Sequence, residues 1–510
     1  MKTYLQRYSV KVRAKCTIDF SRKKSLNDSA FYKPEKKYLP DPAFHPYLRL
    51  IQKNDTVRTM TLESFYTWLN NYLNFEKTQQ KNIFWLESMR FLCQKLNNPQ
   101  DQIPCIHIAG SKGKGSTAIM TASILEESGL KCGIYSSPHI SDFRERICTR
   151  DGFFPDWVYE KAADELTSLV DSTPSEDFPG QRPLTWFELV TVFAFLCFKR
   201  AGVDFVVYET GLGGRLDSTN IVKPLVTILM PIELEHTEFL GDTIEKIAGE
   251  KAGIIKEKVP AVISFQNYKE AEDVFLETCR HKKSKAVFVK DSIIPDVKSY
   301  RNGKMEICLT STGKVPELPE SFNIKASLSM PGFVQAQNAA AAALAVKLIK
   351  PEITASEISA GLEKAFLPGR FQINGNIILD GAHTVRSIQN TLSTMKVVFP
   401  EKDFQLLFAC AGDKDIKDII PLFKGVFKKI IFTKPETVRK CNPNEMMKIA
   451  EQNGIAAEIN LNLESSLSSL KSESKSDDII LVTGSFYLVS EVISLLKKDL
   501  SKTSYPEVKK

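Results

Sequence analysis

A short apolar run, Cys105-Ile-His-Ile-Ala109, passes directly into Gly110-Ser-Lys-Gly-Lys-Gly-Ser116 and then into a helical pattern, Thr117–Ser128, closed by Gly129. Few architectures accommodate that succession. A buried strand, a glycine-rich turn and a helix bring the turn's free N–H groups and the helix's positive end to one point, which favours a bound anion. Glycines let the backbone approach phosphate oxygens and take up left-handed angles. Lys114 is placed to reach the outer phosphates of a nucleotide, and a hydroxyl from Ser116 or Thr117 to meet phosphate or Mg²⁺. Two positions break the usual GxxxxGK[ST] spacing: Ile108 stands where the first glycine belongs, and Gly115 where a hydroxyl follows the lysine. A glycine turn with no ligand is the competing reading, and the strand–loop–helix setting with lysine favours phosphate.

The surrounding pattern alternates. Amphipathic helices are expected from about Thr61 and over Phe84–Leu96. Strands follow at Leu130–Ser136, Val203–Tyr208, Val226–Met230 and Ala261–Ser264, with helices at Leu184–Ala201 and Thr243–Ile255. Around Lys285–Leu328 the texture changes to short β-like runs, and Ala336–Ile349 reads as an alanine-rich helix. A second α/β series starts near Gly375, with strands at Ile377–Leu379, Gln405–Ala409, Lys429–Phe432 and Ile479–Val482. Its helices are expected at Ser387–Met395, Ile416–Phe423, Pro443–Glu451 and Tyr487–Lys497. Strands alternating with helices imply a doubly wound, mainly parallel sheet. The expected division is a basic extension over 1–60, a nucleotide-binding domain over 61–368, a smaller Rossmann-like α/β domain over 369–500, and a tail over 501–510. Ser465–Ser476, rich in serine and lysine, reads as a surface segment.

Composition removes several function classes. Ten cysteines are scattered singly, without CxxC pairs or zinc-like spacing, as in a reduced cytoplasmic chain. The longest apolar stretch, Leu189–Phe198, is about half of what crosses a bilayer, so a buried helix is expected and no membrane partner. Residues 1–58 carry 14 Lys and Arg against 5 Asp and Glu, so the net charge of +7 resides there and the remainder is close to neutral. A solvated extension is the ordinary reading of such a run; nucleic-acid contact or an organellar presequence are the alternatives.

Several segments together resemble the folylpolyglutamate synthase/dihydrofolate synthase family of Mur-ligase-like amide ligases. In order they are IHIAGSKGKGS, IYSSPHISDFRERI, TWFELVTVFAF (Thr185–Phe195), ETGLGGRLDSTN (Glu209–Asn220) and ELEHTEFLGDTIEKIAGEKAGIIK (Glu233–Lys256). GFVQAQNAA (Gly332–Ala340), LPGRFQ (Leu367–Gln372), LDGAHT (Leu379–Thr384) and TGSFYLVSEV (Thr483–Val492) complete the set. Thr384 stands where the family usually has Asn, and Glu235 where it has Asp.

The resemblance implies a P-loop domain with a smaller α/β ligase domain, ATP and Mg²⁺ as cofactors, with room for a second Mg²⁺ and a monovalent cation. Glutamate would be joined to a folate or to dihydropteroate. The nucleotide site would comprise Gly110, Ser111, Lys112, Gly113, Lys114, Gly115, Ser116 and Thr117, with Asn338 against adenine and Arg370 and Asp380 from the second domain. Ser137, Glu209 and His236 would hold metal, joined by Lys251 if carbamylated. Lys114, His236, Lys251, Arg370 and His383 would carry the catalysis. Arg215 is read as facing a substrate carboxylate, Asp217 and Asn220 as fixing their loop or merely capping it, and Arg146 as a local folate contact. Another amino-acid ligase of the superfamily and a non-catalytic nucleotide-binding protein are the alternatives. A monomer is expected, with no nucleic-acid partner.

Overall fold

The computed structural model describes residues 60–74, 86–412, 414–436, 441–473 and 478–503. The basic segment 1–58, the start of the Phe84–Leu96 helix and the end of the tail lie outside the described residues.

Seven strands form the larger sheet: β1 (Cys105–Ala109), β2 (Cys132–Tyr135), β3 (Ile147–Cys148), β4 (Phe205–Glu209), β5 (Val226–Leu229), β6 (Ala261–Ile263) and β7 (Ala286–Phe288). Their order is β3-β2-β4-β1-β5-β6-β7, parallel throughout except for the β2–β3 pair. Every residue of β1, β4 and β5 is buried, as expected of strands covered on both faces. Alternation then sorts the side chains. Ile106 and Ile108 face a core shared with the helices Lys114–Glu127 and Phe333–Ile349. Cys105, Val206 and Tyr208 face an aromatic core under the helices Asp156–Ser172 and Trp186–Ala201. The latter helix begins at a capping box between Thr185 and Glu188 and ends on Gly202 in the left-handed region, which explains its sharp limits.

Three antiparallel strands, β8 (Ile293–Arg301), β9 (Lys304–Ser311) and β10 (Asn323–Leu328), form a separate sheet in the order β10-β9-β8. Burial alternates along each, and the apolar face joins the same core as the alanine-rich helix. The helix Ala355–Lys364 lies on the loop helix Lys114–Glu127 at closest range: a Cβ on Gly361 would stand 2.5 Å from Ile124 Cα.

The second α/β sheet comprises β11 (Gln372–Asn374), β12 (Ile377–Leu379), β13 (Phe404–Phe408), β14 (Lys429–Phe432), β15 (Glu458–Ile459) and β16 (Ile479–Thr483). The order is β11-β12-β16-β13-β14-β15, parallel except for β11–β12. This is the doubly wound α/β arrangement expected from the alternation.

Two local expectations change. The helix after the phosphate loop starts at Lys114, not Thr117, because Gly113 at φ +84° turns the chain into helical geometry directly. Within its described part, as far as residue 473, Ser465–Ser476 is not a plain surface segment: the helix Leu463–Glu473 buries Leu467 and Leu470 in the second core, together with Ser466. Among the described residues no helix is long and apolar enough to cross a membrane, and all nine cysteines are free.

Candidate active site

β4, β1 and β5 are neighbours, so Glu209, the loop from Gly110 and the segment from Met230 leave the sheet side by side at its C-terminal edge. That edge is where doubly wound sheets bind ligands. Within the loop, the N–H groups of Ser111 and Lys112 both donate to Pro231 O, at 2.9 and 3.3 Å, which ties the first half to the exit of β5. Gly113 O accepts from Thr117 N–H at 2.9 Å, and no side chain caps the helix start. The amides between them are thus available to an anion.

Each loop glycine fills a tight space. A Cβ at Gly110 would meet Met230 Cβ at 2.4 Å, and one at Gly113 would meet Asn338 Oδ1 at 2.7 Å. At Gly115 it would lie 3.3 Å from both Glu209 Oε2 and Leu367 Cδ2. The glutamate and leucine thus crowd the position after Lys114, where the usual pattern has a hydroxyl. Thr117 is fully buried with its hydroxyl on Met230 Sδ at 3.4 Å, whereas Ser116 sits one position nearer the loop.

The charges are arranged around this loop. Lys114 Nζ donates to Gly110 O at 3.0 Å, so the side chain folds back over the turn it follows. Glu209, 5% exposed, accepts from Ser137 N–H at 3.3 Å; burial raises its carboxyl pKa, opposed by Lys114 and then Arg370. Lys251, 2% exposed, donates to Gly110 O at 3.0 Å and lies 3.4 Å from Glu235. Burial pushes its ammonium down to about 8, against the attraction of Glu235. For Glu235 burial works against the carboxylate, yet Lys112 at 3.2 Å, Lys251 and Lys114 outweigh it and hold the group at about 2. His236 follows on the same loop, at φ +49° ahead of the short helix Thr237–Leu240.

The second sheet supplies the facing wall. Asp380 leaves β12 and accepts from Phe371 N–H and Ala382 N–H, both at 2.8 Å, which fixes the turn that carries Arg370. The Arg370 guanidinium lies 4.2 Å from the ring centre of Phe486 and is drawn by Asp380 and Glu209. His383 Nδ1 is 2.8 Å from Gly381 O. Burial, then Lys112, lowers that imidazole to about 4, so the ring is neutral near pH 7. A carbonyl only accepts, so the ring proton is on Nδ1 and Nε2 keeps its lone pair. Ser490 Oγ donates to Ile140 O, and Arg386 acts on Glu233 across the same junction. Asn338, 5% exposed, donates from Nδ2 to Gln335 Oε1 at 3.0 Å.

Two residues read as substrate-facing have partners of their own. Arg215 pairs with Glu250 at 2.8 Å. Arg146, almost fully buried, donates to His139 Nδ1 at 2.7 Å with its guanidinium 4.8 Å from the Trp186 ring. Asp217 fixes its glycine loop, accepting from Gly211 and Leu212 N–H at 2.9 Å each, and Asn220 bonds Arg215 O and Gly253 O. Phe486 and Gln335 escaped the reading of the sequence, although both fall inside the matched segments; nothing in an aromatic or an amide there signals support of Arg370 or Asn338 until the chain is folded.

No three His, Cys, Asp or Glu side chains gather as a metal cage among the described residues. A single buried carboxylate with hydroxyls nearby nevertheless suits Mg²⁺, which keeps water and takes phosphate oxygens.

Residues 108–346 match the family described as Mur ligase middle domain, and residues 369–486 that of Mur ligase, glutamate ligase domain. The dihydrofolate synthase/folylpolyglutamate synthase of Bacillus subtilis is 31% identical over 429 residues, covering 81% of this chain and 95% of the relative. The Escherichia coli enzyme of the same name is 29% identical, covering 76% and 86%. Among solved structures, Thermotoga maritima folylpolyglutamate synthase is 29% identical with a TM-score of 0.71, covering 85% of this chain and 96% of that one. The E. coli FolC complex with DHPP and ADP is 26% identical with a TM-score of 0.72, covering 86% and 98%.

Proposed function

Because this chain belongs to the folylpolyglutamate synthase/dihydrofolate synthase family of Mur ligases, we propose that it joins L-glutamate to a folate or pteroate carboxylate at the expense of ATP. It is an ATP-dependent ligase, releasing ADP and phosphate. The observation that carries this reading is that Lys114, from the loop helix, and Arg370, from the turn ahead of the second sheet, both act electrostatically on the buried carboxylate of Glu209.

A carboxylate and an amine form a salt in water, so the carboxylate oxygen must first become a leaving group. In the proposed reaction the ATP γ-phosphoryl passes to the folate carboxylate, forming an acyl phosphate and ADP. The loop amides from Gly113 to Ser116 hold the phosphates, while Lys114 leaves Gly110 O to meet the transferring group. Arg370 balances the charge from the opposite side. Glu209, Ser137 and His236 would hold Mg²⁺, which would neutralise phosphate charge. Lys251, whose amine loses its proton readily at about 8, is the candidate for carbamylation and a second cation.

The glutamate amine must lose a proton to attack. We assign that proton to His383 Nε2, whose lone pair is free. The amine then adds to the acyl carbon, phosphate leaves, and an amide remains. Approach of the two domains, divided near Pro368, excludes the water that would otherwise hydrolyse the acyl phosphate. The cysteines, free among the described residues, suit a reducing, cytoplasmic setting.

The test supplies the full chain with ATP, Mg²⁺ and L-glutamate, plus dihydropteroate or a tetrahydrofolate, and follows ADP together with the mass of the pterin product. A gain of one glutamate residue per ADP is expected, and Lys114→Ala should abolish it. ADP release that ignores the pterin, or survives Lys114→Ala unchanged, would reject the proposal.

A further inference from the structure

His107 stands in the middle of β1 with no exposure to solvent, beside Tyr208 of β4 and Thr227 of β5. A polar ring at that depth costs stability unless it is engaged. Nε2 lies 2.8 Å from Thr219 Oγ1, while Nδ1 has no hydrogen-bond partner among the described residues. Thr219, equally buried, also has its hydroxyl on Asp217 Oδ1. Asp217 in turn accepts N–H groups from Thr219 at 3.0 Å and from Gly211 and Leu212 at 2.9 Å each. This turn begins directly after Glu209 and Thr210. It also meets the helix Ile244–Ala252: Arg215 N–H donates to Glu250 O at 2.7 Å, and a Cβ on Gly214 would stand 3.0 Å from Lys251 Cα.

The direction of each bond follows from the donors available. Three backbone N–H groups converge on the Asp217 carboxylate, an acceptor at both oxygens, so the single Thr219 hydroxyl hydrogen goes there too. Thr219 Oγ1 then accepts from His107, which puts the ring proton on Nε2 and leaves Nδ1 bare. Burial, and next the Lys256 ammonium, oppose a second proton on the ring. We propose that His107 is a positioning residue of the ligase reaction, an inference that rests on the function proposed above: by donating to Thr219 it fixes the Asp217 turn, which follows Glu209 and packs on the segment carrying Lys251. An aliphatic side chain would fill a strand buried on both faces, but it has no hydrogen to give Thr219. Without that hydrogen the turn loses this tie to β1.

The experiment compares His107→Leu, His107→Gln, Thr219→Val and Thr219→Ser with wild type on the full chain, each checked for a cooperative melt. His107→Leu should lower kcat for glutamate ligation about tenfold with the KM for the pterin unchanged, as for reacting groups held slightly out of place. His107→Gln offers an N–H near the place of Nε2 and should restore most of kcat, as Thr219→Ser should by keeping the hydroxyl. Thr219→Val should lose at least as much as His107→Leu, and combining the two should cost nothing further. Equal losses in His107→Gln and His107→Leu would overturn the proposal, as would multiplying losses in the double variant or a lowered melting temperature with kcat intact. If His107→Leu does not fold, Thr219→Val and Thr219→Ser make the same comparison from the other end of the bond. NMR of the ¹⁵N-histidine-labelled chain without substrates reads the tautomer. The ring whose signals vanish in His107→Gln is expected to carry its proton on Nε2, and a proton on Nδ1 instead would reject the inference. Because that measurement needs no turnover, a want of folate-dependent ADP release would remove the ligase reading and leave the hydrogen-bond chain standing.

Discussion

Glu235 is attended by Lys112, Lys251 and Lys114, and this local balance sets the state of the most buried amine in the site. Lys251 is drawn toward its charged form by Glu235 and away from it by burial, and burial prevails. Its ammonium therefore loses the proton at about 8, below the ordinary lysine value. Carbon dioxide adds only to the neutral amine, and the neutral fraction grows as pH rises through that value. The resulting carbamate would place a second anion beside Glu235, so a nearby cation becomes necessary for it to persist. After dialysis against CO₂-free buffer, activity at fixed dissolved CO₂ should return faster one pH unit above that value than one unit below. Lys251→Arg, which forms no carbamate, should show no recovery with CO₂. Recovery rates that do not vary with pH would count against carbamylation.

At the level of elements, the phosphate loop is held by what packs behind its helix. The helices Lys114–Glu127 and Ala355–Lys364 meet where Gly361 has no side chain, with Ile124 Cα and Ser123 O at 2.5 and 2.8 Å from the missing Cβ. Gly361 thus decides how closely the element leading to Leu367 and Arg370 can lie against the loop helix. Adding one methyl group forces these helices apart or displaces backbone, which costs about 1–3 kcal/mol as for other overpacked contacts. Gly361→Ala should therefore lower the melting temperature, and it should raise the KM for ATP more than that for the pterin, because Leu367 and Arg370 move with the helix. Thermal denaturation and steady-state kinetics test both parts; an unaltered melting temperature would show that the contact yields without cost. The helix Ala355–Lys364 was not among those expected from the sequence, which does not reveal which glycine meets which backbone.

Across the whole molecule, the site is made from two separately wound sheets. The first contributes the loop, Glu209, Lys251 and the Glu235 segment, and the second Arg370, Asp380 and His383. Arg370 reaches the junction stacked on Phe486 and positioned through Asp380, so its charge is useful only when both sheets are in place. Removing one such charge from a transferring phosphoryl group commonly costs about 10²–10³ in kcat. Arg370→Ala should show a loss of that order in glutamate ligation with a smaller effect on ADP affinity, and Arg370→Lys should recover little, since an ammonium lacks the planar stacking face. An ADP affinity that falls as far as kcat would assign Arg370 to ground-state binding instead.

The doubly wound architecture was legible before folding because strand, loop and helix alternate with uniform apolar strands, a pattern set by local chemistry and by burial on both faces. The phosphate loop was legible for the same reason: its glycines and lysines act within a few residues of one another. The roles of Arg370 at the nucleotide and of Glu209 at the metal were suggested through resemblance, because those residues are far apart in sequence and depend on how two sheets dock. Sequence offered no means of seeing that Glu209 and Leu367 crowd Gly115, or that Arg215 pairs with Glu250. Nor did it show that Gln335 restrains Asn338 or that Phe486 underlies Arg370. Spacing along the chain determined the elements and their chemistry. Tertiary structure alone decided which partners each charge, amide and glycine would meet, because burial and side-chain rotation are properties of the packed site.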